Sequence, residues 1–311
     1  MPIKDFVSLV KSDTAAKRAL LKLRCKKGRL FCTACGSLKI RRHVAGRYRC
    51  RRCRYCFGLF TGTWWGRLRL PWRTSLWLLK LFELEVTAHQ AARQVGVSYP
   101  TAHRAYLLFR RALLAHHRPQ LLRREVEADE SYFGGRRKGK RGRGAAGKIP
   151  VFGILERKGR VQVTVVPNVT AQTLLQETVK MVRRGTLVYT DKYKGYDTLA
   201  FCGYRRLAVN HQRRYARGKV HINGLEGFWS YAKGKLLKHH GVSPAYFPLY
   251  LFEMEFRYNQ RREDLFVWFL KALLQPVEQL PAVLDKRGRK VRKGTTGKTA
   301  AGAACTQPAK G

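Results

Sequence analysis

Three acidic residues of this chain have the types and spacing that metal-dependent phosphoryl transfer requires. Asp129 lies in a short apolar segment that begins near Glu125, Asp191 directly follows the apolar run 187–190, and Glu226 lies in the first turns of a helical segment. Carboxylates at strand ends, joined by one from a helix, can hold a pair of Mg²⁺ ions. Two such ions contact both the attacking and the leaving oxygen of an in-line displacement. The predicted chemistry is therefore cleavage or joining of phosphodiesters.

Alternatives exist for these acids. Taken singly, any of them could be a surface or salt-bridged residue, which is how we interpret Glu125 and Glu127. Asp197 could replace Asp191, although the residue at the exit of a strand is better placed to bind an ion.

A second metal site is predicted from the cysteines. Cys32 and Cys35 form one C-x2-C pair and Cys50 and Cys53 form another. Four thiolates suit the tetrahedral preference of Zn²⁺, and a closed four-cysteine site is structural rather than catalytic. The pairing could instead use Cys56, which also follows Cys53 by three residues. We expect one structural zinc ion in a small ribbon.

Residues 87–106 have the layout of a helix-turn-helix. Ala92 is small where two helices would cross, Gly96 allows a left-handed turn, and Pro100 is tolerated in the first turn of the second helix. The second helix would present four side chains to a DNA major groove: Tyr99, Thr101, His103 and Arg104. A plain helical hairpin is the alternative.

The segment 134–144 holds six basic residues and five glycines. Cationic side chains on a flexible backbone suit contacts to DNA phosphates, which give affinity and salt dependence rather than sequence choice. A disordered insertion is the alternative. The basic residues are Arg136, Arg137, Lys138, Lys140, Arg141 and Arg143.

The elements that position these residues follow from hydrophobic periodicity. Helical spacing predicts a short N-terminal helix and helical segments within 71–118. From about residue 125, short segments rich in Val, Ile and aromatics predict strands, and helices return near 170–183 and after 223. This order describes an α/β protein. The predicted divisions are an N-terminal helix (1–24), a zinc ribbon (25–62), a helix-turn-helix module (63–120), a catalytic domain (121–284) and a disordered basic tail (285–311).

Composition narrows the class of partner. The chain has 311 residues and a formal net charge of +45, with basic residues spread along its length. Such an excess favours a polyanion, with nucleic acid first. The sequence has no run of 18 apolar residues, so we expect no membrane-spanning helix. The clustered cysteines, without a secretory signal, indicate metal binding in a reducing compartment.

Several strings match one known family in the right order. Asp129-Glu-Ser-Tyr-Phe-Gly-Gly135, Asp191-Lys-Tyr-Lys-Gly-Tyr196 and His221-Ile-Asn-Gly-Leu-Glu-Gly-Phe-Trp229 closely resemble the ISXO-like insertion-sequence transposases. The segment 250–261 is similar to that family's closing helix. The zinc ribbon and the helix-turn-helix also match its N-terminal half. The resemblance covers roughly residues 20–280.

The resemblance implies an RNase-H-like mixed-sheet catalytic domain with a DDE-type site, in which Asp129, Asp191 and Glu226 bind two Mg²⁺ or Mn²⁺ ions. Asn223, one turn before Glu226, could occupy the third position instead. Lys233, two turns after Glu226 on the same helical face, would contact DNA.

A protein of this kind would bind transposon ends and target DNA as a dimer or larger assembly, without a membrane. It would be cytoplasmic and associated with the nucleoid of a prokaryote. A non-catalytic DNA-binding regulator, or a nuclease of the same fold that does not join strands, are the alternatives.

Overall fold

The computed structural model describes residues 1–25, 29–134, 147–208 and 221–277. The six cationic residues predicted to contact phosphates between Arg136 and Arg143 lie outside the described residues, as does the tail 285–311.

Within the described residues the chain forms ten α-helices. The helices are α1 (Ile3–Leu9), α2 (Asp13–Arg24), α3 (Trp72–Glu83), α4 (Ala88–Val95), α5 (Tyr99–Ala115), α6 (Ala171–Met181), α7 (Thr198–Phe201), α8 (Asn223–Leu237), α9 (Phe247–Asn259) and α10 (Leu265–Leu274).

The described residues also form eight strands, which make two sheets. The strands are β1 (Ile40–Arg42), β2 (Tyr48–Cys50), β3 (Cys56–Phe57), β4 (Glu125–Phe133), β5 (Ile149–Glu156), β6 (Val161–Val165), β7 (Leu187–Thr190) and β8 (Arg205–Ala208). The first three strands make a small antiparallel sheet, and the other five make a larger one with the order β6-β5-β4-β7-β8.

The larger sheet is mixed. β4 pairs antiparallel with β5 and parallel with β7, and β8 continues the parallel half. Because side chains alternate along a strand, Val126 and Ala128 of β4 point to the apolar cluster that includes α6 residues. Phe133 of β4 and Leu155 of β5 point to the other face, where they pack with α8 and α9. The sheet is therefore covered by helices on both faces, and the predicted α/β class is confirmed.

The N-terminal segment differs from the single helix predicted from its periodicity. The chain forms two helices, because Ser12 is extended and its side chain accepts a hydrogen bond from the Ala15 N–H, which starts α2. A side-chain oxygen at this position satisfies a backbone donor that has no partner within the helix.

The last helix packs away from the large sheet. Phe266 and Phe269 of α10 belong to the same apolar cluster as Phe6 of α1 and Phe82 of α3. Phe269 lies 5.2 Å from Phe82 between ring centroids. The C-terminal helix thus completes the core of the N-terminal helices, although the sequence division placed residues 265–274 with the catalytic domain.

None of the helices in the described residues is long and apolar enough to cross a membrane.

Candidate active site and metal centre

Asp129 and Asp191 stand side by side in the middle of the large sheet. The register pairs Val126 with Val188 and Glu127 with Tyr189 across the parallel strands β4 and β7. Asp129 and Asp191 each lie two residues beyond the second of these pairs, and the Asp191 charge raises the pKa of Asp129. The parallel register therefore brings together two carboxylates that are 62 positions apart in sequence.

Asp129 lies in a site that resists its ionisation. Burial, and then the nearby charge of Glu130, raise its pKa to about 7, with a smaller contribution from Asp191. A hydrogen bond from the Trp229 indole acts in the opposite direction. A divalent ion would reverse this balance, since it favours the charged carboxylate.

Asp191 is held by its own loop and by β8. The Tyr193 N–H donates to Asp191 Oδ1 at 3.0 Å, as in the local turns that Asp side chains commonly form. Arg206 of β8 donates to the Asp191 carbonyl at 3.1 Å and to Thr190 Oγ1 at 2.9 Å. Its guanidinium also pairs with Asp197, whose side chain is 59% exposed. Asp197 thus faces Arg206, whereas Asp191 follows the strand beside Asp129.

Helix α8 is anchored on β4 by a buried glutamate. Glu127 Oε2 accepts a hydrogen bond from the Leu225 N–H at 2.9 Å, and Arg157 Nε lies 3.2 Å from its other oxygen. Glu127 is 1% exposed. An acceptor with negative charge is favourable at a helix N-terminus, so Glu127, interpreted from sequence only as a surface or salt-bridged acid, positions the helix that bears Glu226.

One face of α8 turns towards Asp129. Successive residues are about 100° apart around a helix, so Glu226, Trp229 and Lys233 fall within an arc of about 60°. Trp229 donates to Asp129 Oδ2 at 3.1 Å, which identifies this arc as the one facing β4. Asn223 lies about 120° from Trp229. Glu226 and Asn223 are both exposed, and Glu226 is nearer the face that meets the carboxylates.

Lys233 lies close enough to Asp129 for their charges to interact. Burial lowers the pKa of Lys233 and Asp129 raises it, while Lys148 lowers it. The Lys233 ammonium lies 5.6 Å from the Phe133 ring centroid. Phe133 ends β4, and Lys148 directly precedes β5.

The four predicted zinc ligands converge. Cys32 Sγ lies 3.6 Å from Cys53 Sγ, and Cys35 Sγ lies 3.6 Å from Cys50 Sγ. All four sulfurs lie within 4.8 Å of one another, and no other group of three or more His, Cys, Asp or Glu in the described ranges meets this condition. The candidate carboxylates are therefore less closely gathered than the cysteines.

The environment of Cys50 favours a thiolate. Burial alone would raise the pKa of Cys50, but hydrogen bonds from the backbone N–H groups of Cys53 and Arg52 outweigh it and lower the pKa to about 6. A backbone hydrogen bond from Ser37 lowers the pKa of Cys35, but burial and hydrogen bonds with the neighbouring sulfurs outweigh it, so that the pKa of Cys35 is raised. Cys56, the alternative ligand, points its sulfur towards the Arg54 carbonyl at 3.9 Å. The residues thus fit a tetrahedral thiolate-binding metal such as Zn²⁺.

The helix-turn-helix layout forms as α4, a turn and α5. Gly96 has φ 71° at the end of α4, and the Val97 N–H donates to the Ala92 carbonyl at 3.0 Å. Ser98 precedes α5, but its hydroxyl contacts the Thr101 hydroxyl at 2.9 Å and does not cap the backbone.

The four candidate DNA-reading side chains differ in exposure. Tyr99 and Arg104 are exposed, whereas Thr101 and His103 are half-buried. The His103 ring stacks on Tyr99 with centroids 5.6 Å apart and meets Tyr246 edge-on at 6.2 Å. Part of this helix surface is thus already in contact with the chain.

A cavity of about 910 Å³ lies at the other end of the large sheet and contains none of the candidate carboxylates. It is lined by residues that precede β4 and β7, including Arg123 and Arg183, and by Glu255 of α9.

Sequence reasoning missed two residues at the site. Trp229 touches Asp129 directly, and Gly153 of β5 lies opposite Asp129 in the sheet register. A glycine inside a strand pattern often marks a close approach by another group, and this was the available signal. The contact itself depends on how α8 crosses the sheet, which periodicity does not define.

The mixed five-stranded sheet, which has helices on both faces and follows a four-cysteine module along the chain, defines an α/β protein. Residues 121–259 match the model of the ISXO2-like transposase domain. A protein in transposable element ISH50 of Halobacterium salinarum is 31% identical over 83% of this chain and 93% of its own length. This chain belongs to the family of ISXO2-like insertion-sequence transposases.

An uncharacterized transposase-like protein of Haemophilus influenzae is 36% identical over 38% of this chain and 96% of its own length. Among solved structures, the Mos1 strand transfer complex is 14% identical, covers 64% of this chain and 74% of that chain, and has a TM-score of 0.27. The match to the Mos1 mariner paired end complex with Mn is 15% identical in sequence, covers 63% of this chain and 74% of that chain, and has a TM-score of 0.28. These structural similarities are too low to add to the family assignment.

Proposed function

We propose that this chain is a cut-and-join DNA transposase whose reaction takes place at Asp129, Asp191 and Glu226. The observation that supports the proposal most strongly is the parallel register of β4 and β7, which sets Asp129 beside Asp191. Glu226 lies on the adjoining face of α8, and membership of a transposase family supports DNA as the substrate.

The three carboxylates are oxygen donors of the kind that Mg²⁺ and Mn²⁺ prefer. Two such ions, when bound, activate the attacking hydroxyl or water and neutralise charge on the phosphate and the leaving oxygen. No protein nucleophile is required. Asp129 and Asp191 hold the ions from neighbouring strands, and Glu226 or Asn223 completes the set from α8.

The remaining residues bind and orient DNA. Lys233 lies on the same helical face as Glu226 and contacts a phosphate near the reacting bond. The cations between Arg136 and Arg143 bind the backbone without sequence choice. The zinc ribbon (Cys32, Cys35, Cys50 and Cys53) and α5, through Tyr99, Thr101, His103 and Arg104, recognise the terminal repeats.

Because a transposon has two ends, the active form is a dimer or larger assembly on DNA, and the protein works at the nucleoid.

The experiment is a cleavage and strand-transfer assay on the DNA that flanks the gene, with Mg²⁺ or Mn²⁺. The native protein is compared with Asp129→Ala, Glu226→Ala and Asn223→Ala. We expect metal-dependent formation of a 3′-hydroxyl and joining to target DNA, both lost in Asp129→Ala. Loss in Glu226→Ala but not in Asn223→Ala would identify the third ligand.

Two other outcomes would contradict the proposal. Specific binding to the flanking ends without cleavage would indicate a DNA-binding regulator. Cleavage without joining would indicate a nuclease.

A further inference from the structure

We propose that Trp229 is a positioning residue that fixes the carboxylate of Asp129 for divalent-ion binding, an inference that rests on the proposed function. The Trp229 indole Nε1–H donates to Asp129 Oδ2 at 3.1 Å. An indole N–H is a donor only and cannot itself bind an ion. Its effect is to hold the carboxylate plane, together with a hydrogen bond from the Glu130 backbone N–H, so that the remaining lone pairs point in fixed directions for the ion.

The indole reaches Asp129 because β5 has no side chain at Gly153. Asp129 and Gly153 are directly paired in the antiparallel register of β4 and β5. A Cβ atom on Gly153 would lie 2.6 Å from Cζ2 and Cη2 of Trp229, and 3.2 Å from Val163 Cγ1. Glycine weakens the interior of a strand, so its position under the ring is consistent with a requirement for space.

Neighbouring aromatic rings fix the indole plane. Phe133 meets Trp229 edge-on with centroids 5.9 Å apart, and Phe228 lies 5.4 Å away. Trp229 is 5% exposed. A side chain packed on several sides has few rotamers available, so the N–H is held in its direction towards Asp129.

A neutral donor suits this place in a strongly basic chain. An arginine or lysine paired with Asp129 would also orient the carboxylate, but its charge would repel a divalent ion. The indole orients the ligand without adding positive charge. Outer partners that orient metal ligands typically contribute about 10–100-fold to metal affinity.

The test is Mn²⁺ binding to the full chain, measured by electron paramagnetic resonance of the free ion. Trp229→Phe retains an aromatic ring and removes the N–H. We expect Mn²⁺ to bind about tenfold more weakly to this variant. The circular dichroism should stay close to that of the native protein, while the unfolding temperature should fall because buried ring atoms are lost. Trp268→Phe is the matched control, because Trp268 is 41% exposed on α10, and it should bind Mn²⁺ normally.

A second variant separates positioning from packing. Gly153→Ala should displace the indole and weaken Mn²⁺ binding in the native background. It should cause little further loss in Trp229→Phe, because phenylalanine lacks Cζ2 and Cη2, the atoms that the new methyl group would meet. This non-additivity is the signature of two residues acting through one contact.

Mn²⁺ affinity that is unchanged in Trp229→Phe but lost in Asp129→Ala would overturn the positioning role and leave the proposed function intact. Mn²⁺ affinity that is unchanged in Asp129→Ala would overturn both, because Asp129 would then not be a ligand. A lower unfolding temperature with unchanged Mn²⁺ affinity would show that Trp229 serves packing alone.

Discussion

At the scale of single residues, two buried glutamates on α9 show how neighbours decide the charge of an acid. Glu253 and Glu255 are both almost fully buried. Burial alone would raise the pKa of Glu253, but Arg110 and Arg257 outweigh it and lower the pKa. Burial raises the pKa of Glu255 to about 8, partly offset by a hydrogen bond from the Val163 N–H.

Glu255→Gln should therefore stabilise the folded protein at alkaline pH. The folded chain keeps the Glu255 proton up to about pH 8, whereas the unfolded chain releases it near 4.5, so stability falls as pH rises through this window. Glutamine keeps an acceptor for Val163 and has no charge. Urea unfolding at pH 5 and pH 9 should show that the free energy of unfolding of the variant exceeds that of the native protein by a few kcal/mol at pH 9 only, since one pKa unit is about 1.4 kcal/mol. An equal effect at both pH values would contradict the account.

Glu253→Gln should have the opposite effect. It leaves Arg110 and Arg257, which are 2% and 3% exposed, without their carboxylate, and breaking a buried pair costs about 3–5 kcal/mol. Because the pKa of Glu253 is lowered, its contribution is present above pH 4.5 and is lost as pH falls through the folded pKa. The same urea titrations should show a large loss of unfolding free energy at neutral pH, and this loss should become smaller at acid pH.

At the scale of elements, we expect the small β1–β3 sheet to depend on a metal ion held by its four cysteines. Cysteines and a few apolar residues such as Phe57 form its core, and a module with so small a core typically folds only with its metal bound. Cys35→Ser should abolish zinc retention and increase amide exchange in residues 29–57, with exchange in β4–β8 unchanged. Cys56→Ser is the matched control and should keep one zinc per chain. Zinc loss in Cys56→Ser instead would show that the alternative pairing is correct.

Most elements could be predicted from the sequence because their signals are local. Short segments rich in Val, Ile and aromatics predicted the strands β4 to β7. Thr170 caps α6 by accepting a hydrogen bond from the Thr173 N–H. The C-x2-C spacing predicted the cysteine cluster. The break between α1 and α2 was missed, since apolar spacing continues across Ser12.

What could not be predicted depends on contacts between distant elements. The apolar face of α10 indicates burial but not its partner, which proved to be the N-terminal helices. The candidate acids could be placed on strand ends, whereas the contact between Trp229 and Asp129 depends on how α8 crosses the sheet. The role of Glu127 under α8 likewise depends on that crossing.

At the scale of the whole molecule, Glu85 connects the helix-turn-helix to the helix that carries Glu226. Glu85, between α3 and α4, pairs with Lys235 of α8, and its carbonyl accepts from Lys238 at 2.5 Å. Arg257 of α9 donates to the carbonyls of Glu83 and Phe82 at 3.0 and 2.6 Å. The helix that bears Glu226 is thus in direct contact with the residue that precedes the helix-turn-helix.

The excess of positive charge predicts how the affinity for DNA depends on salt. Each phosphate neutralised by a cation contributes about 0.9 to the slope of log affinity against log salt. Replacing Arg136, Arg137 and Lys138 with glutamine should therefore lower that slope by about 2–3 for duplex DNA, for any sequence. Fluorescence anisotropy measures this slope at salt concentrations from about 50 to about 200 mM, the range over which the affinity falls steeply. An unchanged slope would show that the segment does not contact phosphates.

The central claim is that Asp191, beside Asp129, is part of a metal-dependent phosphodiester-cleaving site. Its most direct test is Mg²⁺-dependent formation of a 3′-hydroxyl at an element end by Asp191→Asn and, as the matched control, by Asp197→Asn. Both changes remove one negative charge from the same loop, and Asp197 faces Arg206 at the surface. We expect Asp191→Asn to lose cleavage and Asp197→Asn to retain it. Native cleavage by Asp191→Asn, or loss only in Asp197→Asn, would contradict it.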